Sequence, residues 1–485
     1  MSLQKEPKSI EKLEQNAKKG EVLSAFQLFE YYRDGRYVAK DDAIAEQYLA
    51  RCFDYVQDQE HRFRLEKLEL SNFRRFEHLE VNLHPRLTVF IGDNGSGKTS
   101  ILDAISKTLS NIANEVLKGS NGKELSRSDV NNARDKAFTD VKTVFGYGLE
   151  LKSLDAKLSI AKTGKYPSFL EDIKRLGRLW LSVDRSHETN LPCFAHYSDK
   201  RNCHEVVEYT RKEDRFDGYR EAFDDPKAFG YFMAWYIRLQ RKVSSGVSSS
   251  KLHLTSVDAV ICSSLNMAQI YLDASTGEEV IWFKTENGSD VCFEQLSAGQ
   301  KAVTTLFGDI ARRLILLNPK LDNPLEGQGI VLIDEIELHL HPKWQQSVLL
   351  NLPKSFPNIQ FIVTTHSPQV LSTVDKTCIR KFTTNERGED ILETPQFQTK
   401  GVVSKDILEQ IMGTIATPNT KEAKWIDDFS VLVSNGKLGE AQQLLDRKII
   451  PHFRGKDTSK DHPVVLDCLN LIKIHEMKQR LGVVG

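Results

Sequence analysis

The sequence predicts an α/β fold, a mixed sheet flanked by helices, with a helical insertion and helical extensions at both ends. Three observations predict it. An apolar run, Leu87 to Ile91, leads into Gly92-Asp93-Asn94-Gly95-Ser96-Gly97-Lys98-Thr99 and then into an amphipathic segment, Ser100 to Leu109. This is the order strand, Gly-rich turn, helix. Two further apolar runs, Ile330 to Ile333 and Phe361 to Val363, end in Asp334-Glu335 and in Thr364-Thr365-His366-Ser367-Pro368. Short continuous apolar runs of this kind read as strands buried on both faces, as in a parallel sheet.

Each of these ends carries residues suited to a phosphate. In the Gly-rich turn, Asn94, Gly95, Ser96, Gly97, Lys98, Thr99 and Ser100 let successive N–H groups and a helix N-terminus point at one anion. Lys98 then reaches the β/γ-phosphates and the Thr99 hydroxyl holds Mg²⁺, so ATP and Mg²⁺ are the expected ligands. Asp334 is placed to hold the Mg²⁺ through water, Glu335 to polarise the attacking water, and His366 to hydrogen-bond the γ-phosphate. Leu296-Ser297-Ala298-Gly299-Gln300 precedes a predicted helix, Lys301 to Leu317, and offers an anion the Ser297 hydroxyl and free N–H groups around Gly299. Arg74 or Arg75 lies where a guanidinium can meet the nucleotide by stacking or phosphate contact; either is equally ordinary as a solvated strand charge.

Composition narrows the surroundings. With 66 Lys+Arg against 67 Asp+Glu the net charge is −1, so there is no global basic field, and nucleic-acid contact has to be local. The seven cysteines contain no CxxC pair, which fits reduced thiols and a cytoplasmic location. Cys193, His196, Cys203 and His204 match no common zinc spacing and read as ordinary core or loop residues. No apolar run approaches the roughly 20 residues of a membrane span.

Along the chain, residues 1–60 read as two short helices with small residues where they cross. Residues 61–395 read as the nucleotide-binding head, with a partly helical insertion at about 111–290, and residues 396–485 as a helical interaction region. From Phe63, alternating runs predict a β-meander. Val141 to Ile160 alternates like antiparallel strands, Leu179 to Val183 reads as a buried strand, and Ser244 to Ser250 as a loop. The aromatics Phe229, Tyr231, Phe232, Trp235 and Tyr236 sit at helical spacing, which favours core over base stacking. Strands at Ile270 to Leu272 and Val280 to Lys284 are expected to return the chain to the nucleotide domain.

Taken in order, the phosphate loop, Leu296 to Gln300, Asp334-Glu335 and His366 resemble the ABC-type P-loop ATPase heads of the RecF/SMC/overcoming-lysogenization-defect class. Asn72-Phe73-Arg74-Arg75-Phe76 and Glu337-Leu338-His339-Leu340-His341-Pro342 are similar to segments of those heads, and the resemblance covers roughly residues 63–395. Residues 1–60 resemble one Sel1-like, tetratricopeptide-related repeat. The short insertion, this leading pair and the helical tail make the chain similar to the Septu-type antiphage ATPases, the PtuA family, in the version encoded beside retrons. The resemblance implies ATP hydrolysis without nuclease activity, because no Glu and DxD set for two metals is found after residue 395. It also implies a head-to-head homodimer or higher homo-oligomer in which Ser297 and Gly299 of one subunit meet the γ-phosphate held by Lys98 of the other. Partners implied in the same way are an HNH nuclease and a reverse transcriptase with its msDNA. The alternative classes are a DNA-repair or chromosome-type head, which requires a local basic groove, and a self-contained nuclease, which requires a carboxylate cluster. Two positions depart from the pattern: no Gln lies between Gln59 and Gln240 to fill the usual Q-loop, and Ile336 replaces the Pro that commonly follows the catalytic carboxylate.

Overall fold

The computed structural model describes residues 10–131, 138–148, 153–163, 166–200, 214–223, 228–275, 277, 279–414, 418–453 and 462–480. The chain forms two compact units, Met1–Ile407 and Leu408–Gly485. In the first, three helices among the described residues come before the sheets: α1 (Ile10–Lys18), α2 (Val22–Asp34) and α3 (Asp42–Gln57). The sequence reading has two, because the short α1 buries only Leu13 and Ala17. Asp41 caps α3 by accepting from the N–H groups of Ala43 and Ile44. Gly35, at φ 66°, closes α2 in the left-handed conformation that glycine tolerates.

The head follows: β1 (Phe63–Phe73), β2 (Phe76–Asn82), β3 (Leu87–Ile91), α4 (Lys98–Lys118), β4 (Phe138–Tyr147), β5 (Leu154–Ala161), α5 (Glu171–His187) and β6 (Cys193–Tyr197). Next come α6 (Ala228–Ser244), α7 (Ser248–Leu265), β7 (Met267–Asp273), β8 (Val280–Thr285), β9 (Asp290–Cys292), α8 (Ala298–Leu317), β10 (Gly329–Ile333), α9 (Pro342–Ser355), β11 (Ile359–Thr364), α10 (Pro368–Leu371), β12 (Ile379–Thr384) and β13 (Asp390–Glu393). One antiparallel sheet has the order β2-β1-β4-β5, and a six-stranded sheet has the order β13-β12-β3-β11-β10-β6. In the latter β12, β3, β11, β10 and β6 run parallel and β13 is an antiparallel edge. Every residue of β3, β10 and β11 is buried, as expected for parallel strands covered on both faces.

Several details differ from the sequence reading. Leu179 to Val183 belongs to α5, whose Leu176, Leu179, Trp180 and Val183 form one buried helical face; so short an apolar run does not distinguish helix from strand. The strand is β6, just beyond. Ser248 and Ser250 lie in α7, leaving only residues 245–247 between it and α6. β4 and β5 complete the first sheet, and β7-β8-β9 form a sheet of their own within the unit that holds the head. Phe232, Trp235 and Tyr236 are core, the Phe232 ring lying against Gly308 of α8.

The N-terminal helices dock on the head: the Tyr55 hydroxyl donates to the Tyr147 carbonyl at 2.5 Å, Gln57 to the Thr189 hydroxyl at 2.9 Å, and Arg178 of α5 pairs with Glu30 at 3.0 Å. Inside the head, α8 carries a buried ionic cluster. Asp309 accepts from Arg312, Arg313 and the Tyr197 hydroxyl, each at 2.8 Å. The same arginines donate to the carbonyls of Asp217, Gly218 and Arg220, so no charge is left without partners. Burial opposes the Asp309 charge, but the two guanidinium groups hold its carboxyl below the usual range.

In the second unit the helices Lys421–Ser434, Leu438–Leu444 and Pro463–Arg480 pack around Phe429, Ala441, Leu445, Ile449 and Val465.

The Gln360 side chain links the two large sheets of the head. Gln360 of β11 accepts from the Leu65 N–H at 2.9 Å and donates to the carbonyls of Leu65 and His84 at 2.8 and 3.1 Å. It thereby satisfies β1 where its pairing with β4 shifts, between Leu65 and Lys67. Gln360→Leu strands these three buried groups and should cost about 3 kcal/mol, read as a lower urea midpoint at unchanged slope.

Candidate active site

The phosphate loop is shaped by what lies under it. Gly97 has φ 100°, and a Cβ there would come within 2.3 Å of the Phe76 ring, so both backbone and space require glycine. Lys98 opens the 21-residue α4; its ammonium donates to the carbonyls of Gly92 and Asp93 at 2.8 and 2.9 Å. Burial pulls its pKa down, and the nearby carboxylates of Asp334 and Glu335 oppose that shift only in part.

On the far side of β11, β10 ends in Asp334 and Glu335. Thr364, at the end of β11, connects the two: its hydroxyl donates to Asp334 Oδ1 at 2.5 Å and accepts from the Glu335 N–H at 2.8 Å. Glu335 takes φ 45°, a turn that swings the chain off the strand. Asp334 Oδ2 is buried without a hydrogen-bond partner among the described residues. A buried carboxylate oxygen of this kind, beside a hydroxyl such as Thr99, is a hard-oxygen donor set suited to Mg²⁺. The next turn folds back: Glu337 accepts from the Thr365 hydroxyl at 2.7 Å and from the His366 N–H at 2.5 Å.

Asn94, Gly95, Gly97, Lys98, Thr99, Ser100, Asp334, Glu335, His366 and Arg74 thus line one cleft of about 300 Å³, together with Arg75. Ser96 is buried just beneath, its hydroxyl 3.4 Å from the Lys98 ammonium. A larger cleft, about 650 Å³ between α4, β5 and the start of α5, holds none of the expected site residues. Arg74 lines the nucleotide cleft, but its guanidinium donates to Asp103 at 2.7 Å, Asp129 at 3.0 Å and Ser100 at 3.3 Å. Arg75 is bound to Asp390 and to the Gly95 carbonyl.

Ser297 and Gly299 stand apart from the cleft lining. Ser297 is exposed and caps α8, its hydroxyl accepting from the Gln300 N–H at 3.3 Å. Gly299 is buried where a Cβ would meet the His339 carbonyl at 2.7 Å. His341 caps α9, and among the described residues no group of three or more His, Cys, Asp or Glu is arranged to hold a metal. Cys193 and His196 lie in β6, while Cys203 and His204 are outside the described residues.

Sequence reasoning missed Thr364 and Glu337 as parts of the site, although both stand beside residues it chose. It also left the Q-loop open. In the sheet β6 flanks β10, with Tyr197 opposite Ile333, and Ser198 follows it in the chain. No helix among the described residues is long and apolar enough to cross a membrane.

A phosphate loop, a strand ending in two carboxylates and a strand ending in histidine, side by side in one parallel sheet, define a P-loop ATPase head. Residues 64–388 match the RecF/RecN/SMC N terminal domain. The chain is 31% identical over 430 residues to "Retron Vc95 probable ATPase" of Vibrio cholerae, covering 76% of this chain and 82% of that protein. It is 26% identical to "Retron Ec83 probable ATPase" of Escherichia coli, covering 93% and 95%. It is 22% identical to the Septu protein PtuA of Bacillus thuringiensis, covering 80% and 94%. The chain therefore belongs to the RecF/RecN/SMC family, among its retron- and Septu-type ATPases.

Two outcomes are expected. Thr364→Val keeps the shape and removes the hydrogen bonds to the Asp334 carboxylate and from the Glu335 N–H, so steady-state ATPase kcat should fall about 10-fold or more. Burial would raise Asp129, but hydrogen bonds from Lys107, Ser126 and Arg74 outweigh it and hold its pKa at about 2. Its contribution to stability is complete above about pH 4, its ordinary range, and is lost as pH falls toward 2. The destabilisation caused by Asp129→Asn should therefore be larger at pH 7 than at pH 3 in denaturant titrations.

Proposed function

We propose that this chain is the ATP-binding and hydrolysing switch subunit of an antiphage defence complex, and that it closes as a head-to-head dimer around ATP. The observation that carries this reading is the separation within one head: Lys98, Thr99, Asp334, Glu335 and His366 share a cleft, while the exposed Ser297 lies outside it. The N–H groups at the start of α4 and the Lys98 ammonium bind the phosphates of ATP. Thr99 and Asp334 would hold Mg²⁺, whose charge would offset that of the β- and γ-phosphate oxygens. Glu335 takes a proton from water as its oxygen adds to the γ-phosphorus and the bond to the β-phosphate oxygen breaks, leaving ADP and phosphate. His366 hydrogen-bonds the γ-phosphate. Ser297 and Gly299 of the second head complete the shell, so ATP stabilises the closed dimer by its higher affinity for that form.

The similarity to retron and Septu proteins supports extending this to partners: an HNH nuclease controlled by the closed state, and a reverse transcriptase with msDNA as sensor. The helical ends, 1–60 and 396–485, are the proposed docking surfaces.

Glu335→Gln should give an ATP-dependent dimer by light scattering, with hydrolysis reduced at least 100-fold. Lys98→Ala should weaken ATP binding about 10- to 100-fold. A Glu335→Gln protein that hydrolyses ATP at the normal rate would sink the site assignment. Pull-down of the tagged chain from its host with ATP should retain a nuclease and a nucleic-acid-bearing polymerase; recovery of chromosomal DNA alone would point to a repair-type head.

A further inference from the structure

Glu337 has no part in the reaction as proposed so far, yet it sits two residues beyond the proposed base in a site that already holds two carboxylates. A third negative charge there is unfavourable unless something offsets it. The structure shows what does: one oxygen accepts from the Thr365 hydroxyl at 2.7 Å and the other from the His366 N–H at 2.5 Å. The Thr365 oxygen in turn accepts from the Ser367 N–H at 3.0 Å. One carboxylate thus organises three consecutive residues at the end of β11, and the middle one is His366, whose side chain lines the cleft. The same short turn continues to His339, whose carbonyl lies against Gly299. Glu337 is therefore midway between the hydrolytic cleft and the exposed loop that carries Ser297.

We infer that Glu337 is a positioning residue for ATP hydrolysis, fixing His366 at the cleft through paired hydrogen bonds to the end of β11. The inference rests on the proposed role of His366. A carboxylate suits the task because it offers two acceptor oxygens to two donors. Glutamine offers one, and its amide nitrogen confronts the other donor.

The test is steady-state ATPase kinetics on the full chain for Glu337→Ala, Glu337→Gln, His366→Ala and the double variant Glu337→Ala/His366→Ala, with nucleotide binding confirming that each folds. Glu337→Ala should lower kcat about 10- to 100-fold while KM for ATP stays within about threefold, and Glu337→Gln should fall between it and wild type. Because the effect passes through His366, the double variant should be no slower than His366→Ala alone. Multiplicative losses in the double variant, or a rise in KM with kcat unchanged, overturn the inference. If His366→Ala is slow and Glu337→Ala is normal, only the inference fails; if His366→Ala keeps the wild-type kcat, the site reading fails and takes the inference with it.

Discussion

Parallel strands buried on both faces have to end at the same edge, and the chemistry of this protein depends on that constraint. β3, β11 and β10 are neighbours in one sheet, all of their residues are buried, and their register leaves no freedom to slide. Each strand therefore releases its next residues at one common rim: the phosphate loop after β3, the carboxylates after β10 and the histidine after β11. Segments that are far apart in sequence meet there because apolar burial holds the strands side by side. Polar contacts then refine the arrangement. The Thr364 hydroxyl and the Glu337 carboxylate bind the ends of β10 and β11 to each other, so the two sides of the cleft have a fixed separation.

The rim was legible in the sequence because each of its parts is a short contiguous motif at the end of an apolar run. Lys98, Asp334, Glu335 and His366 were found that way, and the structure gathers them in one cleft. What escaped was whatever depends on contacts between distant segments. Phe76 under Gly97 and Gln360 under β1 are ordinary residues until the fold brings them together. Arg74 reads equally as a nucleotide contact or a strand charge; it lines the cleft, but no local pattern could show that Asp103 and Asp129 engage its guanidinium. The Leu179 to Val183 reading failed for a different reason, since three apolar residues in a row carry no period.

The missing glutamine has a related explanation. In the sequence it is an absence with no position attached, because nothing local says which strand should lead to it. The structure places β6 beside β10, and the residue that follows β6 is Ser198, not a glutamine.

The buried cluster around Asp309 bears on the proposed pairing of two heads. It pins α8 to Tyr197 at the end of β6 and to the carbonyls of Asp217, Gly218 and Arg220. Ser297 caps the same helix twelve positions away, about 18 Å at the usual rise. The helix is thus a rigid arm clamped deep in the protein, with its exposed tip at the far end. A tilt of about 5° at the clamp carries the tip about 1.6 Å, more than half the length of a hydrogen bond. The tip is then aimed by the interior of its own head, and whatever disturbs the strand beside Asp334 also redirects the Ser297 hydroxyl.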